Sequence, residues 1–156
     1  GFGGRAFEDA VLTIEDIDTL FSRQVKDEQM DRTVVTGQYK EWRTINVGNR
    51  LFTAKNAAQG QAQIPFGAGV DDKGDMAKIG GGTHVHIEEN RVHYFERKML
   101  LSTKLLARFD QVQPVLFKKG DIVEVKMSMM LIKIINKKKE ERYRTVAVLR
   151  SITLFD

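Results

Sequence analysis

Three histidines, His84, His86 and His93, are the whole imidazole inventory of the chain and fall close together. The stretch Thr83 to Lys98 reads as a β-hairpin. Val85 and Ile87 alternate with His84 and His86, and Val92 and Tyr94 alternate with His93 and Phe95. With Glu89-Asn90 as the turn, where Asn tolerates positive φ, His86 faces His93 and His84 faces Phe95. All three imidazoles then leave one face, and cross-strand neighbours about 5 Å apart can share a metal ion. This pattern predicts zinc or iron at His84, His86 and His93, in a metal-dependent enzyme. The stronger expectation is surface or satisfied histidines, as on a solvated sheet face, with no cofactor.

A second group of residues suits a polyanion. Lys137, Lys138 and Lys139 sit at the tip of a hairpin, with Arg142 and Arg144 on its returning strand. Lysines on a rigid arm attract a phosphate backbone through counterion release, and a two-stranded ribbon fits a major groove. Tyr143 at the tip, with Trp42, Tyr39 and Tyr94 elsewhere, offers aromatic faces for base stacking. The competing expectation is a solvated turn whose charges keep an apolar hairpin from sticking. Patterns for other chemistry are missing: no G-x-S-x-G, no H-E-x-x-H, no P-loop and no G-x-G-x-x-G. The His84-Val85-His86 pair resembles the first motif of cupin barrels. Asn90 and Arg91 stand where that motif carries its glutamate, so no cupin activity is carried over.

The 156 residues are 42% hydrophobic and 29% charged, which is the composition of one globular domain. Cysteine is absent, which excludes disulfides, thiolate metal sites and a cysteine nucleophile. Together with the lack of a basic-then-apolar leader, this predicts an intracellular protein, in cytoplasm or nucleus. No apolar run approaches the roughly 18 residues of a membrane span, so no membrane partner is expected. Charge is segregated. Gly1 to Asp31 holds eight acids against three bases (net −5), whereas Lys118 to Arg150 holds ten bases against four acids (net +6). The acidic head and basic tail can complement each other within one chain or between copies, or the tail can serve a polyanion.

The elements that must position these residues follow from periodicity. An apolar stripe at Ala10, Val11, Ile14, Ile17, Leu20, Phe21 and Val25 predicts a helix from about Ile14 to Gln29, with Thr13 as N-cap and a shorter turn at Ala6–Val11. Arg32–Thr36, Gln38–Val47 and Arg50–Ala54 read as strands. Residues 55–82, rich in glycine, read as a long flexible loop. Met99 to Phe109 admits a short helix or a strand. Ile122–Ile135 and Arg142–Phe155 are long strands joined by a charged turn at Asn136–Glu141, apolar on both faces and suited to the middle of a barrel or sandwich. Val146, Val148, Ile152 and Leu154 share one face of the second strand.

Phe117-Lys118-Lys119-Gly120-Asp121-Ile122-Val123-Glu124-Val125 and Val146-Ala147-Val148-Leu149-Arg150-Ser151-Ile152-Thr153-Leu154 resemble the end of uncharacterised proteins present in many copies in mushroom-forming (basidiomycete) fungi. His86–Phe95 is similar in style. The resemblance covers the C-terminal half. It implies an intracellular β-rich domain tied to repetitive or mobile genetic elements, and it supplies no catalytic residues.

The expected fold is α+β: a single β-rich domain over 1–156. An acidic N-terminal helical segment (about 6–30) packs on an antiparallel barrel or sandwich of six to eight strands, with OB-like or jelly-roll-like closure. The leading functional expectation is a non-enzymatic nucleic-acid-binding domain using the basic arm. Next comes an interaction or self-assembly module in which the acidic helix of one copy meets the arm of another. The metal-dependent enzyme is third.

Overall fold

A computed structural model describes residues 4–99 and 107–155. The fold is α+β, and the chain packs as two compact units, Gly1–Gly48 with Met127–Val148, and Asn49–Lys126 with Leu149–Asp156.

In the first unit, helix α1 runs Arg5–Ser22, 18 residues from an N-cap at Gly4. It starts and ends earlier than the sequence suggested. Val11 and Ile14 are its buried positions, so the apolar stripe reaches back through the segment read as a separate turn. Thr13 does not cap the helix. Its hydroxyl donates to the Asp9 carbonyl at 2.8 Å, one turn back inside the helix. Strands β1 (Thr36–Tyr39) and β2 (Trp42–Ile45) form an antiparallel hairpin in which Tyr39 faces Trp42. The expected single strand over Gln38–Val47 is therefore broken at Lys40-Glu41. Lys40 takes φ 55°, the left-handed conformation a two-residue hairpin loop requires, at a residue type that does not advertise it. Ile14, Val35 and Ala147 form the core, with Ile45, Val47, Met127 and Met129 packed against it.

The two long strands are present as expected: β7 is Val123–Ile135 and β8 is Glu141–Phe155. Asn136 bonds to Glu140 at one end of the pair and Phe155 to Ile122 at the other, so they run antiparallel. The face of β8 that buries best is Thr145, Ala147 and Thr153 rather than the Val146 side. Thr145 is fully buried, and its hydroxyl has no partner among the described residues.

In the second unit, β3 (Thr53–Ala54) pairs antiparallel with β4 (His84–Val85). Strand β5 (His93–Met99) pairs antiparallel with β6 (Ala107–Gln111) and parallel with β8, His93 facing Ser151 and Arg97 facing Phe155. The four-stranded sheet has the order β6-β5-β8-β7. It is open and mixed among the described residues, which corrects the antiparallel barrel. Of the Met99–Phe109 alternatives, Ala107–Phe109 lies in β6, and positions 100–106 fall outside the described residues.

The expected hairpin over Thr83–Lys98 does not form. Asn90, assigned to its turn, is buried: its Oδ1 accepts from Ile87 N at 3.0 Å, and its side chain bonds the Thr53 hydroxyl at 3.1–3.2 Å. A 3₁₀ turn at Glu88–Asn90 followed by extended Arg91 redirects the chain instead of reversing it. Residues 55–82 carry a helical turn, α2 (Asp75–Ile79), held by Asp71, which accepts from Met76 N at 3.0 Å and Ala77 N at 2.9 Å. No helix among the described residues is long and apolar enough to cross a membrane.

Candidate functional site

The basic tip of the β7–β8 hairpin is a built turn. Lys139 N donates to the Asn136 carbonyl at 3.0 Å and Asn136 N to the Glu140 carbonyl at 3.1 Å, with Lys139 at φ 63°. This is a type I turn followed by a left-handed residue. The Asn136 side chain ties it: Oδ1 accepts from Lys138 N and Glu140 N, both at 2.9 Å, and Nδ2 donates to the Glu140 carboxylate at 2.7 Å. Lys133 pairs across the strands with Glu141, whose hydrogen bond raises the Lys133 pKa above its ordinary value. Both acids near the tip are thus engaged. Lys137, Lys138 and Lys139 are exposed, with no carboxylate in ion-pairing distance among the described residues.

The arginines of the arm have a different fate. Asp31 accepts from Arg142 Nε at 2.9 Å and from Arg144 Nη2 at 3.2 Å. Hydrogen bonds from Arg142 and then Arg144 hold the Asp31 carboxyl below its ordinary range, against partial burial. Arg142 also donates to the Glu28 and Met30 carbonyls. Backbone bonding adds to this strap, with Asp31 N donating to the Tyr143 carbonyl at 2.8 Å and Met30 bridging Tyr143 in parallel. Tyr143 is half-buried here rather than displayed at the tip.

Trp42 and Tyr39, at the end of the β1–β2 hairpin, are exposed, and Lys40 lies 5.7 Å from the Tyr39 ring centre. Tyr94 lies in the second unit, packed on Phe117 at 5.7 Å, where burial raises its pKa. Two acids of α1 also find a partner inside the first unit: Arg43 pairs with Glu15 and with Glu8. Charge complementarity between the acidic head and the basic tail is therefore realised within one copy, through Asp31, nine residues past the end of α1. Sequence reasoning missed Asp31 and Asn136. The second had a signal, because Asn is favoured at the first position of a type I turn.

The histidines are placed differently from expectation. β4 pairs with β3, and β5 with β6 and β8, so His86 and His93 do not face each other. Among the described residues, no three His, Cys, Asp or Glu side chains form a group that could hold a metal ion. His93 lies on β5 with its ring 6.2 Å from that of Phe95. His84 and His86 line a cleft of about 310 Å³ in the second unit, walled by Phe52, Ile64, Pro65 and Phe66. His86 is buried. Its Nδ1 bonds the Leu51 carbonyl at 2.8 Å, so that nitrogen carries the proton, and its ring stacks on Phe66 at 4.2 Å. Gly80 closes the cleft where a Cβ would come within 2.6 Å of the Phe52 ring. Asp71 also borders it, but its carboxylate is occupied by the α2 amides. Those bonds outweigh the desolvation that pushes its pKa up, and the net shift is downward. Such a cleft can hold a small amphipathic molecule against imidazole and aromatic faces.

In comparisons with known proteins, the chain matches no protein-family model, no curated protein and no solved structure.

Proposed function

We propose that the chain is a non-enzymatic nucleic-acid-binding domain that contacts phosphates through Lys137, Lys138 and Lys139. One observation carries this reading. The turn that presents these lysines is fixed by Asn136, and the nearby acids Glu140 and Glu141 are bonded elsewhere, so three ammonium groups stand exposed on a rigid support. Arg142 and Arg144 then serve to anchor the arm through Asp31 rather than to touch the ligand. Trp42 and Tyr39, exposed in the same unit, supply stacking surfaces for unpaired bases. The reading agrees with what the fungal resemblance implies about mobile genetic elements.

Fluorescence anisotropy with single- and double-stranded oligonucleotides over a salt series tests it. Binding should weaken steeply with salt and vanish when the three lysines become glutamate. Binding that is absent at low salt, or indifferent to those substitutions, rejects the reading.

A further inference from the structure

Strand β7 ends the four-stranded sheet, and at its start both faces are open: Ile122 to Lys126 are all exposed, Ile122 at 74%. An uncovered edge with apolar side chains is a template for another strand. Its hydrogen-bonding phase can be read from one contact. The Ile122 carbonyl accepts from Phe155 N at 3.0 Å, so it points toward β8. By alternation, Glu124 and Lys126 direct their amide groups to β8 as well, and Val123 and Val125 direct theirs outward.

We propose that this edge is a self-association surface, on which two copies pair antiparallel about a two-fold axis through Val125. At that centre the Val125 residues of the two copies exchange both N–H···O bonds. Glu124 of each copy then faces Lys126 of the other in a non-hydrogen-bonded pair, the arrangement that brings side chains closest. Neither Glu124 nor Lys126 has an ion-pair partner among the described residues of its own chain. The charges also fix the register. A two-fold axis perpendicular to the sheet allows only registers in which facing residues share a face. From the Val125-centred register, the next one either way sets Glu124 against Glu124 or Lys126 against Lys126. Such isologous pairing closes on itself and does not propagate. The interface is small, so the dimer is transient and dependent on concentration and salt.

Sedimentation velocity from about 10 to about 500 µM tests this, a range suited to a weak contact. The wild-type chain should pass from monomer to dimer across it at low salt. Glu124→Lys should remain monomeric, because lysine then faces lysine, and the double variant Glu124→Lys/Lys126→Glu should recover the dimer. Val125→Pro removes a donor that faces outward and spares the β8 ladder, so it should give a folded monomer by circular dichroism. A wild-type chain that stays monomeric throughout overturns the proposal. So does a Glu124→Lys variant that dimerises as the wild type does, or a double variant that does not.

Discussion

Replacing Asp31 by asparagine separates the two groups of cations on the arm. In the wild-type chain three lysines face solvent, and Arg142 and Arg144 are held by the Asp31 carboxylate at 2.9 and 3.2 Å. Each phosphate neutralised contributes about −0.9 to the slope of log K against log salt on duplex DNA. Three lysines then give a slope of about −2.7, or a loss of about 40-fold between 50 and 200 mM salt. Asparagine keeps the shape and one acceptor but drops the charge, and Arg142 retains its bonds to the Glu28 and Met30 carbonyls. One carboxylate charge is removed and Arg142 stays tied to the two carbonyls, so Arg144 joins the three lysines. The slope should then steepen to about −3.6, a loss of about 150-fold over the same salt range. Anisotropy titrations of a labelled duplex at four or more salt concentrations read both slopes. Affinity at the lowest salt should rise. A slope that stays near −2.7 with unchanged low-salt affinity refutes the reasoning, because the arginines would then not be held back by Asp31.

Three further outcomes follow from the same geometry. Lys139→Gly relieves a left-handed non-glycine residue, so chemical denaturation should show a gain of up to about 1 kcal/mol while the duplex salt slope falls by about 0.9. Asn90→Ala strips the buried partner from Ile87 N and the Thr53 hydroxyl, and a loss of about 2–3 kcal/mol is expected in urea unfolding. Acid should weaken the fold partly through Asp31. Its folded pKa lies below the ordinary 3.8, so its contribution is complete above that value and disappears as pH falls through the folded pKa. Thermal melts from pH 6 to pH 2 should show a shallower acid decline in Asp31→Asn than in the wild type.

The long hairpin was legible because a period of two, sustained over two strands, leaves few alternatives. Where the reading failed, a single residue carried a role its type does not announce. Lys40 adopts positive φ and splits one apparent strand into a hairpin. Asn90, a natural turn residue, instead brackets Ile87 to Thr53 from inside the protein. Periodicity counts apolar residues, so it read β8 as apolar on both faces and gave no reason to single out Thr145 and Thr153, which are buried with Ala147. The parallel pairing of β5 with β8 joins segments far apart in sequence, and no local pattern encodes it.

At the candidate site, charge segregation was legible, but its division into engaged and available cations was not. That division depends on contacts such as Arg142 with Asp31, 111 positions apart. The residue types nevertheless follow a physical logic. In the first unit, the cations that bridge elements distant in sequence are Arg43, Arg142 and Arg144. A planar guanidinium with several fixed donors can hold a carboxylate and backbone carbonyls at once, as Arg142 does with Asp31, Glu28 and Met30. The tip carries lysines, whose compact, strongly hydrated charges on flexible stems suit a ligand recognised by charge density. Exchanging Lys137–Lys139 for arginines would keep the charge and so the salt slope. The reverse exchange, lysine at 142 and 144, keeps every charge but loosens the strap, because one ammonium cannot hold Asp31 and two backbone carbonyls at once. The slope should then steepen toward that of Asp31→Asn.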